Sequence, residues 1–112
     1  MSDCLFCRIS SGEARADRVY EDEHAVAFRD INPAGPTHIL VIPRKHIATL
    51  ADLTEDDDAL VGHLARVAAK VAKADGQTDF RLAVNCGAGA GQSVFHLHMH
   101  VIGGRVLKWP PG

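Results

Sequence analysis

Strand-forming runs around a single long amphipathic helix predict a mixed α and β fold, in which the helix covers a sheet. Two stretches carry that reading. Phe95-His96-Leu97-His98-Met99-His100-Val101-Ile102 alternates histidine with apolar residues at the period of two that marks a half-buried strand. Residues 54–74 instead place Leu60, Leu64, Val67 and Val71 on one stripe at helical spacing.

The elements follow in order. Cys4-Leu5-Phe6-Cys7-Arg8-Ile9 predicts one or two helical turns ending near Gly12, with both thiols on one side, since positions three apart are neighbours on a helix. Arg18–Glu21 and Ala25–Arg29 predict two strands joined at Asp22-Glu23-His24, a hairpin. His24 in that turn reads as solvated. Asp30-Ile31-Asn32-Pro33-Ala34-Gly35-Pro36 is a loop set by two prolines and a glycine. Thr37-His38-Ile39-Leu40-Val41-Ile42-Pro43 is the most apolar run, and its β-branched content predicts a central strand. His38 reads as a strand-end residue and His46, in the loop after Pro43, as exposed.

Thr54 opens the long helix as a plausible N-cap, with Glu55, Asp56 and Asp57 in the first turn where the dipole favours acids. Alanines raise its propensity, and Gly76 suits the position just past its end. His63 reads as surface or packing. Phe80–Cys86 predicts another strand, with Cys86 small and buried. The last strand spans 95–102, and Phe95, Leu97, Met99 and Val101 hold its inner face. Side chains two apart on a strand stand about 6.5–7 Å apart on one face. His96, His98 and His100 therefore line up opposite that apolar row. Val106–Gly112, with the only tryptophan, is an apolar tail that docks on its own domain or on a neighbouring subunit.

Bulk properties narrow the function. The length of 112 residues fits one domain, 46% apolar content supports a core, and a net charge of −2 argues against a large nucleic-acid surface. No apolar run approaches the roughly 20 residues that span a bilayer. Met1-Ser2-Asp3-Cys4 shows no secretory signal, which points to the cytoplasm, where disulfides are rare. The three cysteines thus read as thiols or metal ligands.

The chemistry-bearing residues leave alternatives open. The Cys4–Cys7 pair fits half a zinc site, a redox pair or two small core residues; no βαβ pattern surrounds it, which argues against the redox pair. Zinc would need two further ligands, and histidine is the obvious supply. Gly87, Gly89 and Gly91 let the backbone approach a ligand, and amides so arranged can cradle an anion. Asp30 reads as a turn former or as a carboxylate offered to a ligand hydroxyl. The histidine row serves metal binding or nucleophilic catalysis, in which a neutral imidazole attacks phosphorus or a carbonyl while its neighbours donate to the developing charge.

His96-Leu97-His98-Met99-His100-Val101-Ile102 resembles the signature of the histidine triad family. Phe28-Arg29-Asp30-Ile31, Pro36-Thr37-His38, Gly91-Gln92-Ser93, Gly103-Gly104-Arg105 and Trp109-Pro110-Pro111-Gly112 extend the resemblance, to its nucleotide-binding branch, over almost the whole chain. The resemblance implies an α+β fold: a five-stranded antiparallel sheet, one long helix and a short N-terminal helix. It implies one domain over 1–112, with 104–112 a tail at the interface of a homodimer whose sheets join. It implies a purine nucleoside phosphoramidase that hydrolyses AMP joined to an amine through a covalent nucleotidyl-histidine. A non-catalytic purine-nucleotide sensor is the alternative, and a zinc hydrolase using the histidine row directly is a third reading. The short chain and the Trp-Pro-Pro-Gly ending argue against the dinucleoside polyphosphate hydrolase branch.

Residue by residue, the resemblance makes His98 the nucleophile, with the His96 carbonyl holding its Nδ1 proton. His100 contacts the phosphate, and His38 completes the relay. Gln92 and Ser93 contact phosphate and leaving group, with Gly91 and Asn85 nearby. Asp30 holds the ribose hydroxyls, Phe6, Phe28, Ile31 and Leu40 form the base slot, and Trp109 approaches the partner's site. The CxxC resembles bacterial members, in which the residues matching Cys4, Cys7, His46 and His96 bind structural Zn2+ that the chemical step does not need.

Overall fold

The computed structural model describes residues 3–112; Met1 and Ser2, the start of the stretch read for a signal, lie outside the described residues. Five strands form one antiparallel sheet: β1 (Arg18–Glu21), β2 (Ala25–Arg29), β3 (Thr37–Pro43), β4 (Phe80–Ala83) and β5 (Met99–Gly103), in the order β1-β2-β3-β5-β4. Two helices complete it, α1 (Leu5–Ser11) and α2 (Asp58–Ala74). This is the α+β arrangement expected, and the first three strands have the expected bounds.

The sheet separates two cores. On one face α2 sets Leu64, Val67, Ala68, Val71 and Ala72 against Ala25, Ala27, Ile39, Val41, Leu97, Met99 and Val101. On the other, Phe6 and Ile9 of α1 pack on Val26, Phe28, Leu40 and Ile42. β3 is buried along its whole length, because helices cover both of its faces. Leu40 pairs with His100 across β3 and β5, and His38 with Ile102, so these histidines stand on the α1 face. Among the described residues no helix is long and apolar enough to cross a membrane.

Four expectations need correction. The last strand begins at Met99 rather than Phe95: the Leu97 amide is taken by the Ile47 carbonyl (2.6 Å), so 95–98 run as an irregular segment that keeps the alternation of faces without a ladder. Phe95 is 46% exposed and is no part of the core. β4 stops at Ala83, which leaves Cys86 exposed in the following loop. The α-helix starts at Asp58, after a 3₁₀ turn over Glu55–Asp57; Thr54 caps that turn, donating its amide to Asp57 Oδ2 (3.0 Å). The stripe of α2 is otherwise as expected, with Leu60 at its half-buried margin, and Gly76 takes φ +82° just beyond its end.

Candidate active site

Four histidines are arranged by hydrogen bonds that assign their protons. A carbonyl can only accept, so the 2.8 Å contact between His98 Nδ1 and the His96 carbonyl places a proton on Nδ1. His98 Nε2 keeps its lone pair in the neutral ring. His38 Nδ1 accepts from the Ala34 amide (2.9 Å), so its Nε2 carries the proton and donates to His100 Nδ1 (2.9 Å). The proton of His100 then sits on Nε2, which is buried and has no partner among the described residues. The site thus holds one free lone pair and one orphaned N–H donor on rings whose centroids are 5.0 Å apart.

Burial favours the neutral form of His38 and of His100. It lowers the pKa of His38, against the pull of the Asp30 carboxylate. His100 is pushed down to about 4, by burial first and then by the neighbouring His98 and His38. Asp30 serves as the turn former considered for it. Its Oδ1 accepts the Asn32 amide (2.8 Å), forming the turn, and its Oδ2 lies 3.4 Å from His38 Nε2 at the cavity wall.

Asp30, His98 and His100 open onto a cavity of about 390 Å3 whose lining also includes Phe6, Phe28, Ile31, Leu40 and Ser93, while His38 lies outside that lining, behind His100. Phe6 meets Phe28 edge-on at 5.3 Å and His98 at 5.1 Å, giving the slot an aromatic wall. Ile31 is 91% exposed and forms a lip rather than a floor. Leu5, Ile9, Arg15, Ala16 and Val94 also line the cavity and were missed. Leu5 and Ile9 lie one turn apart beside Phe6 on α1, a spacing that could have revealed them. A larger hollow of about 770 Å3 lies between the end of α2, β4 and the C-terminal tail, but no histidine, cysteine or other nucleophile-bearing cluster faces it.

Asn85, Gly91, Gln92 and Trp109 lie outside the cavity lining. The Gln92 amide braces the glycine-rich loop: Oε1 accepts the Gly87 amide (2.8 Å), and Nε2 donates to the carbonyls of Ala48 (2.8 Å) and Val94 (3.1 Å). Asn85 abuts Gly91 in the same loop. Trp109 is 81% exposed beside Arg81, and Val106 is 82% exposed, so the tail does not dock on its own domain at these side chains.

Behind the aromatic wall, Cys4, Cys7, His46 and His96 bring one donor atom each within 4.8 Å of one another. Cys4 Sγ lies 3.4 Å from His96 Nδ1, Cys7 Sγ 3.3 Å from His46 Nδ1 and 3.5 Å from His96 Nδ1, and the two Nδ1 atoms are 3.2 Å apart. His96 Nε2 donates to the Pro43 carbonyl (2.8 Å), which leaves Nδ1 as a lone pair facing the sulfurs. Burial lowers the pKa of His96, against the hydrogen bond to Pro43. Tetrahedral edges around zinc measure about 3.3–3.8 Å for bonds of roughly 2.0–2.3 Å, so spacing and donor set both fit such an ion. Asp30, His38 and His100 also converge within the same limit, but their contacts to one another already use these atoms.

Comparison with known proteins agrees with this geometry. The family model described as "Scavenger mRNA decapping enzyme C-term binding" matches residues 3–107. An uncharacterized HIT-like protein of Synechocystis sp. is 49% identical over 98% of this chain and 97% of its own. The crystal structure of a HIT family hydrolase from Legionella pneumophila superposes with a TM-score of 0.96 at 48% identity, covering 98% of this chain and 100% of that one. A Zn-bound histidine triad family protein from Mycobacterium smegmatis superposes at 0.79 with 37% identity, covering 92% of this chain and 76% of that one. The chain belongs to the histidine triad family.

Proposed function

We propose that the protein is a purine nucleoside phosphoramidase that cleaves the P–N bond of AMP joined to an amine. The division of protons carries this reading: a free lone pair on His98 Nε2 and an unpartnered N–H on His100 Nε2 share one cavity. His98 Nε2 attacks phosphorus, the P–N bond of the substrate breaks, and the amine leaves with a proton taken from solvent, which the later attack of water gives back. The nucleotidyl-histidine is then hydrolysed by water, which returns the His98 lone pair. His100 Nε2–H donates to the phosphate oxygens as charge develops, and His38 Nε2–H backs it by donating to His100 Nδ1. Ser93, on the cavity wall, serves phosphate or leaving group, and Asp30 receives the ribose hydroxyls. Phe6, Phe28, Leu40 and the Ile31 lip sandwich the base. With the Gln92 side chain held within the loop and Asn85 set against Gly91, these three residues serve by shaping the loop that precedes Ser93.

Cys4, Cys7, His46 and His96 would hold Zn2+ in a closed four-ligand site, which supplies structural anchoring rather than an activated water. The Zn-bound family member supports this assignment. The protein works as a homodimer in the cytoplasm, with Trp109 reaching toward the partner's site.

His98→Ala tests the reaction. Hydrolysis of an AMP-amine phosphoramidate should fall about a thousandfold or more, while AMP affinity measured by calorimetry changes only a few-fold. Undiminished turnover would sink the mechanism. Tight AMP binding by a wild type that cleaves no phosphoramidate would favour the sensor reading instead.

A further inference from the structure

Phe6 and His96 join the four-donor cluster to the slot. Cys4 caps α1 and accepts the Cys7 amide (3.4 Å), so the two sulfurs bracket Phe6. The Phe6 ring, 5% exposed, lies 5.1 Å from the His98 ring and 6.0 Å from the His96 ring, and is at once slot wall and neighbour of the nucleophile. His96 is fully buried. Its Nδ1 belongs to the cluster, and its own carbonyl carries the His98 Nδ1 proton.

A seven-residue helix does not persist on its own, so α1 depends on its attachments. Arg18 donates to the Ile9 carbonyl and Arg44 to the Ser10 carbonyl, which pins the C-terminal end. The first turn is tied to the rest of the fold by the packing of Phe6 and through the sulfurs of Cys4 and Cys7. Without a cation, the His96 Nδ1 lone pair would face two sulfurs and the His46 nitrogen at 3.2–3.5 Å. Relaxation of that crowding moves a ring and a carbonyl that share one Cα.

We propose that Cys4, Cys7 and His46 are positioning residues of the nucleotide slot: metal held there sets the Phe6 wall and, through the His96 backbone, the orientation of His98, so nucleotide affinity follows metal occupancy. This rests on the reading of the slot as a nucleotide site.

The test compares zinc-loaded protein, its metal content verified, with protein stripped by a chelator. AMP affinity is read by calorimetry, and the His98 ring nitrogens by 15N NMR in the absence of nucleotide. Stripping should weaken AMP binding about tenfold, roughly 1.4 kcal/mol, and shift the His98 Nδ1–H resonance. In Phe6→Ala the same stripping should change AMP affinity by about threefold or less. Where stripping unfolds the chain, His46→Gln at the exposed ligand provides the comparison in a folded protein. Unchanged affinity together with an unmoved His98 resonance overturns the proposal, as does a full tenfold metal effect in Phe6→Ala. Should zinc-loaded wild type fail to bind AMP, the nucleotide reading falls, and the His98 resonance alone decides the positioning role: a shift on stripping supports it, and an unmoved resonance overturns it.

Discussion

A single carbonyl oxygen decides which nitrogen of His98 carries the proton. Were the His96 carbonyl turned away, the ring would sample both tautomers and Nε2 would be protonated part of the time. The same reasoning runs from the Ala34 amide through His38 to His100, where it ends on an N–H with no acceptor among the described residues. Burial holds His100 at a pKa of about 4, against roughly 6.5 in an unfolded chain. Between those values the unfolded chain takes up a proton at this position and the folded chain does not. The contribution is therefore absent above about pH 6.5, and stability is lost as pH falls from 6.5 toward 4. His38 and His96 are displaced in the same direction. His100→Gln removes one such proton. The pH dependence of its unfolding free energy should be shallower than that of the wild type by up to about 1.4 kcal/mol per pH unit in this window. Urea denaturation from pH 4.5 to 7 measures it, and parallel curves for the two proteins would contradict the assignment.

At the scale of elements, β3 and β5 bring His38 and His100 side by side, and α2 holds those strands from behind. Leu64 is fully buried among sheet residues at the centre of that contact. Leu64→Ala should cost about 3 kcal/mol, visible as a lowered urea midpoint, with AMP affinity retained while the chain is folded. A cost below roughly 1 kcal/mol would mean that the helix carries less of the fold than its packing indicates. Clamps at its C-terminal end reinforce it: Asp75 accepts two bonds from Arg29 (2.7 and 3.2 Å) and one from Thr37 (2.5 Å). Much of this was legible in the sequence. The β-branched run between Pro36 and Pro43 marks β3, and the Leu64–Val67–Val71 stripe marks α2, because both signals are local. The late start of β5 was not legible, because it depends on the Ile47 carbonyl, 50 positions away from Leu97. The exposure of Cys86 and Phe95 depends likewise on where neighbouring strands stop. The four-donor cluster spans 92 positions from Cys4 to His96, and the exposed His46 looks like any loop histidine until the fold places it. The histidine alternation marked the site, but the separate roles of the four rings came from resemblance, and the proton assignments became derivable only with the hydrogen bonds in hand.

At the scale of the whole molecule, the sheet ends in two edge strands, β1 and β4, and β4 exposes more apolar side chains. The order β1-β2-β3-β5-β4 leaves the outer side of β4 without a partner strand among the described residues. Phe80 and Leu82 on that strand are exposed, and the adjoining tail exposes Val106 and Trp109, with Trp109 against Arg81. An apolar edge of this kind invites a second strand, and a two-fold axis can pair β4 with β4 of a second copy in a self-complementary way. Such pairing would give a continuous sheet across two chains and bring each tail toward the other subunit. Light scattering should then give twice the 12.0 kDa chain mass, about 24 kDa. Leu82→Lys would place a charge near the axis, next to its own symmetry copy, where like charges repel. That variant should run at the mass of one chain while keeping the circular dichroism of the wild type. A Leu82→Lys protein that stays at 24 kDa would place the seam elsewhere on the surface. A wild type that runs as a single chain would remove the dimer, and with it the approach of Trp109 to a neighbouring site.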